Sequence, residues 1–198
     1  NKKNVKGIKI KNFFIDIGTP KNLATAKKDL INYLKRPALF LDRDNTIIYD
    51  TGYVHQINNL RLKSTFIKIL KKISKKNIYI FIVTNQSGIG RGYFSEKSFE
   101  KFQIHLKKKL SNHNIFIDDV RFCPYHKDAK IKKYKKKSNL RKPENGMILD
   151  LFKNWPLVKK RSFMIGDKIS DKVCAEKSKI TFCYANNIVL TNLYRKFN

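Results

Sequence analysis

Two carboxylates two residues apart, Asp42 and Asp44, follow directly on the apolar run Ala38-Leu39-Phe40-Leu41. A short continuous apolar run predicts a buried parallel strand. The side-chain period of two then leans both acids to the same side of its C-terminal end. Paired carboxylates at such a place suit metal-assisted phosphoryl transfer. One attacks phosphorus to give an aspartyl-phosphate, the other moves the proton, and a hard cation such as Mg2+ screens the anions from each other. A lone Asp-x-Asp is equally at home in a surface loop, so the reading depends on what else the chain supplies.

Three later segments supply it. Residues 78–83 predict a second strand of aromatic and β-branched residues that stops at Thr84, whose hydroxyl and following backbone N–H groups can donate to phosphate oxygens. In Arg141-Lys142-Pro143, a lysine before a proline at a helix start offers a compact positive charge for the same phosphate. The run Phe163-Met164-Ile165-Gly166-Asp167-Lys168-Ile169-Ser170-Asp171 predicts a strand ending in an acidic loop, with Asp167 completing a metal site and Asp171 steadying the loop.

Strand-end acids, a hydroxyl, a lysine and a further strand-end acid, in that order, resemble the four motifs of the haloacid dehalogenase-like phosphatases. Within them, residues 41–55, 83–94, 141–143 and 166–168 resemble the D-glycero-D-manno-heptose-1,7-bisphosphate 7-phosphatases of the histidinol-phosphatase-like branch. The likeness covers residues 37–185. It implies Asp42 as nucleophile, Asp44 as general acid/base, and Thr84 and Lys142 as stabilisers of the phosphoryl group. It implies Mg2+ held by Asp42, the Asp44 backbone carbonyl and Asp167. Substrate contacts would fall on Asp50, Thr51, Gly52, Tyr53, Asn85, Gln86, Ser87, Arg141 and Lys168. Two departures stand out. Asn45 replaces the usual Gly, and Asn is among the few residues that tolerate unusual turn dihedrals. The zinc-binding Cys-x-His…Cys-x-Cys loop of many relatives reads Cys123-Pro-Tyr-His126 and then Ser138-Asn-Leu140. Three ligand positions therefore hold Tyr125, Ser138 and Leu140. Structural zinc needs four N or S ligands, so zinc is expected to be absent.

Composition bounds the rest. A chain of 198 residues can bury one proper core. No apolar run is long enough to span a bilayer and no signal peptide opens the chain, so a cytoplasmic protein with no membrane partner is expected. Three irregularly spaced cysteines agree with a reducing compartment. The net charge of +29 raises a nucleic-acid role. Only eight of the 44 basic residues are Arg, however, and the lysines are spread over nearly every segment. With no aromatic-plus-Arg module for reading bases, no specific nucleic-acid partner is expected. The densest basic cluster, residues 130–137, is either a disordered tongue or a holder of anionic substrate.

The expected architecture is α/β: a three-layer sandwich with a parallel central sheet, Rossmann-like, with the site at the C-terminal strand edge and no separate cap domain. Residues 36–198 form the phosphatase domain. Residues 1–35 stand apart. Phe13-Phe-Ile-Asp-Ile-Gly-Thr-Pro20 and the helical pattern after it resemble the C-terminal end of sugar-1-phosphate nucleotidyltransferases, with Asp16 at a position that helps bind metal there. Thr19 should cap this helix, Pro20 should occupy its first position, and Leu23, Ala26, Leu30 and Leu34 should form an apolar stripe. The simplest account is a piece of a fused transferase–phosphatase, or a partner of one. Further helices are expected from Ser64, from Ser95 to about Leu110, and over 147–152. A strand is expected over 115–122, and the glycines of 88–92 suggest a flexible loop. The expected activity is Mg2+-dependent hydrolysis of the 7-phosphate of a heptose 1,7-bisphosphate, a small-molecule sugar phosphate. The alternatives are a histidinol-phosphate phosphatase, a nucleic-acid 3′-end phosphatase, or a degenerate non-catalytic module.

Overall fold

The computed structural model describes residues 8, 9 and 14–185. Internal contacts divide the chain into two compact units, Asn1–Lys35 and Arg36–Asn198. In the second, five strands form one parallel sheet: β1 (Ala38–Leu41), β2 (Tyr79–Asn85), β3 (Asp119–Cys123), β4 (Phe163–Gly166) and β5 (Thr181–Tyr184), in the order β3-β2-β1-β4-β5. Every residue of β1 and β4 is buried, as a sheet covered on both faces requires. Alternation sorts the side chains into two cores. Leu39, Leu41, Ile80, Ile82, Phe163 and Ile165 share one face with α2 (Ser64–Ile73) and α4 (Glu96–Ser111). Ala38, Phe40, Phe81, Val83 and Met164 share the other with α5 (Gly146–Asn154) and α6 (Ile169–Lys177). The result is the expected three-layer α/β architecture. Because β1 is central and its neighbours lead off in opposite directions, its C-terminal end is the switch point where such sheets bind ligands.

Several boundaries depart from the expectation. Strand β2 runs two residues past Val83, so Thr84 and Asn85 are hydrogen-bonded ladder residues paired with Phe122 and Cys123. Strand β3 begins only at Asp119; Ile115 and Ile117 are buried in the chain leading to it rather than in the ladder. The glycines of 88–92 are not a flexible loop. Ser87–Gly90 is a single helical turn, α3, with Gly88, Ile89 and Gly90 buried. Pro143 precedes α5 by three residues, so Lys142 lies in a turn rather than at a helix start. The lysine-rich stretch 130–137 is ordered: it contains the 3-10 turn Lys132–Tyr134, its Tyr134 is buried, and its hydroxyl donates to Glu96 at 2.8 Å. In α2 the buried face is Phe66, Ile67, Leu70 and Ile73.

In the first unit, α1 (Pro20–Leu34) is capped as expected. The Thr19 hydroxyl accepts the Asn22 N–H at 3.1 Å, and Pro20 opens the helix. Of its stripe, Ala26 is buried, whereas Leu23 and Leu30 are exposed. The Asp16 carboxylate is occupied by local donors, Gly18 N at 2.9 Å and Asn22 Nδ2 at 3.1 Å. Phe13, the first residue of the transferase-like motif, lies outside the described residues. Among those residues no helix is long and apolar enough to cross a membrane.

Candidate active site

Asp42 leaves β1 anchored by its N–H to Ile165 O of β4, so its carboxylate is placed by the two central strands. It meets Lys142, whose ammonium lies 2.6 Å from Asp42 Oδ1 and 2.6 Å from Asp171 Oδ1. All three groups are buried. Burial alone would lower the Lys142 pKa, but the two carboxylates overcome it and hold the amine protonated. Burial pushes Asp42 the other way, up to about 7, with Asp171 and Asp44 adding to the rise and Lys142 opposing it. One cation does not balance this many acids. Asp167 completes the crowd: Asp42, Asp167 and Asp171 bring carboxylate oxygens within 4.8 Å of one another. Burial raises the Asp167 carboxyl as well, and its Oδ1 is buried without a hydrogen-bond partner. Converging carboxylates and an orphaned buried oxygen fit a hard divalent cation.

Asp44 is held from the side by groups the sequence reading did not connect. Arg43, 1% exposed, packs its guanidinium over the rings of Phe99 and Phe102 and donates to Asp44 Oδ1 at 2.7 Å. Gln86 Nε2 donates to Asp44 Oδ2 at 2.8 Å and to the Thr84 hydroxyl at 2.9 Å, while its Oε1 accepts from Arg43 at 3.1 Å. The Gln86 side chain is thus buried and positions Asp44 and the Thr84 hydroxyl. Asn85 positions a neighbour as well. Its amide clamps the Lys142 backbone, donating to Lys142 O and accepting from Lys142 N, both at 3.0 Å. The likeness pointed to substrate contact for both residues, and both also hold long-range partners within the protein.

A cavity of about 360 Å3 opens over these groups, and Asp44, Asp50, Gly52, Tyr53, Asn85, Gln86, Ser87, Arg141, Lys142 and Lys168 all line it. Thr51 does not line it and is exposed. Ser170, not nominated from sequence, joins the lining. Asp50 Oδ1 accepts from Gly52 N at 3.2 Å and Val54 N at 3.1 Å, so this carboxylate also shapes its own loop. Tyr53 packs edge-on against Tyr93, with ring centroids 4.8 Å apart. His55 stacks on Phe94 at 4.6 Å and bonds Tyr53 O at 2.7 Å, fastening the loop rather than facing a ligand. A side chain at Gly88 would collide with the rings of Phe94 and Tyr53, which is why this turn needs glycine. Asp171 steadies its loop as expected, accepting the Lys168 N–H at 3.1 Å. Its ion pair with Lys142 was the contact that spacing alone did not reveal.

Asn45 adopts φ 56°, the left-handed region in which Asn and Gly are favoured. It adds what Gly could not: its Oδ1 accepts the Asp50 N–H at 3.1 Å, while its backbone oxygen accepts from Lys63 Nζ at 2.8 Å. Asn45→Ala should lose that bond and meet the left-handed penalty, costing about 1–2 kcal/mol. Asn45→Gly should cost less than about 1 kcal/mol. Thermal unfolding of the two variants checks the order.

The loop that matches the zinc-binding loop of relatives carries contacts of its own. The Lys136 ammonium lies over the Tyr125 ring at 4.2 Å, Tyr125 packs against Tyr134 with centroids 6.1 Å apart, and His126 N donates to Tyr134 O at 3.1 Å. Cys123 is buried in the second core cluster.

A family model described as polynucleotide kinase 3 phosphatase matches residues 38–194. Among curated proteins, the D-glycero-beta-D-manno-heptose-1,7-bisphosphate 7-phosphatase of Rhodopseudomonas palustris is 41% identical over 146 residues, 74% of this chain and 81% of its own. That of Photorhabdus laumondii is 40% identical over 144 residues, 73% and 77% of the two chains. Among solved structures, a HAD-like phosphatase from Mesorhizobium loti superposes with a TM-score of 0.76 at 28% identity, covering 82% of this chain and 86% of its own. A D,D-heptose 1,7-bisphosphate phosphatase from B. bronchiseptica, complexed with magnesium and phosphate, superposes with a TM-score of 0.69 at 17% identity, covering 81% and 99%. The last likeness is one of fold.

Proposed function

The chain belongs to the haloacid dehalogenase-like family of D-glycero-D-manno-heptose-1,7-bisphosphate 7-phosphatases, and from that premise we propose that it hydrolyses the 7-phosphate of a heptose 1,7-bisphosphate through an aspartyl-phosphate. The observation that carries the reading is the buried Asp42–Lys142–Asp171 cluster at the switch point, beside a cavity lined by all the residues named for substrate contact except Thr51.

In this reading an Asp42 carboxylate oxygen bonds to phosphorus as the bond from phosphorus to the sugar oxygen breaks. Asp44 delivers the proton to the leaving oxygen, exchanging one of its present hydrogen bonds for that contact. It then takes a proton from the water that attacks the phosphoenzyme, which frees inorganic phosphate and restores Asp42. Lys142 and Thr84 stabilise charge on the transferring oxygens from fixed, water-excluded positions. Asp42 and Asp167, with the Asp44 backbone carbonyl, would hold Mg2+, which supplies positive charge to the phosphoryl oxygens and to the crowded carboxylates. Asp50, Gly52, Tyr53, Ser87, Arg141 and Lys168 surround the space for the sugar, and Arg43, Asn85 and Gln86 keep the reacting groups in place. Residues 1–35 we read as the terminal segment of a sugar-1-phosphate nucleotidyltransferase, a fused or partner enzyme of the same metabolism. Asp16 would be inert there, since its oxygens are taken.

A substrate with two phosphates on a hydroxylated frame uses this basic rim, whereas histidinol phosphate brings one phosphate and a cationic amine. Heptose 1,7-bisphosphate should therefore exceed histidinol phosphate in kcat/KM by about a hundredfold or more, from one lost charge-assisted contact worth ~3 kcal/mol. A second reading, removal of 3′-phosphates from nucleic acid, is favoured by the description of the matching family model and by the net charge of +29. Assay of the two metabolites and a 3′-phosphorylated oligonucleotide side by side at physiological salt decides. Equal use of the two metabolites rejects the heptose assignment, and efficient oligonucleotide turnover promotes the second reading.

A further inference from the structure

Arg43 stands between the two catalytic acids in sequence, and alternation at the strand end turns its side chain toward α4. There the guanidinium lies over the rings of Phe99 and Phe102, 5.6 and 5.0 Å from their centroids. From that position it reaches back to Asp44. Its Nε donates to Asp44 Oδ1 at 2.7 Å, and its Nη2 lies 2.7 Å from the same oxygen. Nη2 also donates to Gln86 Oε1 and to Val54 O, both at 3.1 Å, while Nη1 is buried with no hydrogen-bond partner among the described residues. A charge buried this deeply with one nitrogen unsatisfied is weak support for a fold, because an apolar side chain of similar length fills such a slot about as well. The bonds to Asp44 are unequal in a way that chemistry can use. Oδ1 is tied to a group that is always charged and packed in place. Oδ2 accepts from Gln86 Nε2, which also holds the Thr84 hydroxyl at 2.9 Å and so keeps a partner when Asp44 lets go.

We propose that Arg43 is a positioning residue for proton transfer alone: it anchors Asp44 through Oδ1, which leaves Oδ2 as the atom that gives a proton to the leaving oxygen and later takes one from water. The assignment rests on the phosphatase reading above. As the phosphoenzyme forms, an Asp42 oxygen bonds to phosphorus, the bond from phosphorus to the leaving oxygen breaks, and a sugar oxygen departs with the Oδ2 proton. p-Nitrophenolate is a weak base and departs without one. Arg43→Met should therefore lower kcat/KM for heptose 1,7-bisphosphate at least ~30-fold, and that for p-nitrophenyl phosphate by less than about threefold. Water attack on the phosphoenzyme needs Oδ2 whichever group has left. The variant should thus release a burst of about one p-nitrophenolate per chain ahead of a slower steady rate. Gln86→Met, which also frees the Thr84 hydroxyl, should lower the two kcat/KM values alike. Arg43→Lys keeps the charge without the planar fork, so it should restore the ratio only in part; it is read in place of the methionine variant if that one does not fold. Equal losses on the two substrates in the Arg43 variant, or no loss on either, overturn the assignment and leave Arg43 as packing. A wild-type protein that hydrolyses p-nitrophenyl phosphate and glycerol phosphate but not the heptose bisphosphate rejects the substrate instead, and the ratio is then read on glycerol phosphate. Hydrolysis of none of the three rejects the phosphatase reading and the role of Arg43 with it.

Discussion

Asp42→Asn protein should release phosphate at least ~10⁴-fold more slowly than wild type while keeping its fold, because an amide cannot form the aspartyl-phosphate. The site's electrostatics add a second readout. Burial raises the Asp42 carboxyl from 3.8 to about 7, so the folded state binds this proton more tightly than the unfolded chain does. The stability contributed by this group therefore falls as pH rises from about 4 to about 7. With metal chelated, the Asn variant should lose that decline and be at least as stable as wild type at pH 7 in thermal unfolding. Lost activity together with lost stability would mean that Asp42 holds the fold rather than the phosphate. Asp44→Asn should differ in kind, losing ~10²–10⁴-fold while still forming phosphoenzyme slowly.

The second large effect is expected at Lys142. Lys142→Met fills the slot with a side chain of similar length but leaves Asp42 and Asp171 facing each other without their shared cation. Breaking a buried ion pair from one side costs about 3–5 kcal/mol. The lower end is expected here, since Asp42 can take up a proton. Turnover should fall by ~10²–10³-fold even with saturating Mg2+, as for removal of one fixed charge from a phosphoryl-transfer site. Denaturant unfolding and steady-state rates measure the two effects separately. A variant that stays as stable and as active as wild type would show the cluster to be incidental.

The parts of this site legible from sequence are those whose chemistry demands a residue type at a strand end. Runs such as 38–41 and 163–166 are apolar throughout because both faces of β1 and β4 are covered, and the acids that follow them have no apolar role to confuse the reading. What stayed hidden depends on partners far apart in the chain. Nothing in Asn85 or Gln86 alone says that one clamps Lys142, 57 residues away, or that the other bridges Asp44, 42 residues away. Local composition also misled where packing overrode it. The glycines of 88–92 suggested flexibility, but Gly88 and Gly90 are small because Phe94, Tyr53 and the Pro124 carbonyl crowd that turn, and Gly92 because it adopts φ 79°. The lysines of 130–137 suggested a disordered tongue, but a single buried aromatic, Tyr134, orders the stretch. Ile115 and Ile117 are buried as strand residues would be, yet the ladder with β2 starts only where Phe81 meets Asp119. The stripe on α1 obeys helical spacing, but Leu23 and Leu30 remain exposed, since periodicity specifies a face and not what covers it.

The central claim concerns which bond is broken, and 31P NMR of heptose 1,7-bisphosphate incubated with the wild-type protein and Mg2+ addresses it directly. The primary 7-phosphate resonance should disappear as inorganic phosphate grows, while the anomeric 1-phosphate persists, and omitting Mg2+ should stop the conversion. Loss of the anomeric phosphate first, or a spectrum unchanged under conditions in which the same protein clears a 3′-phosphorylated oligonucleotide, would contradict it.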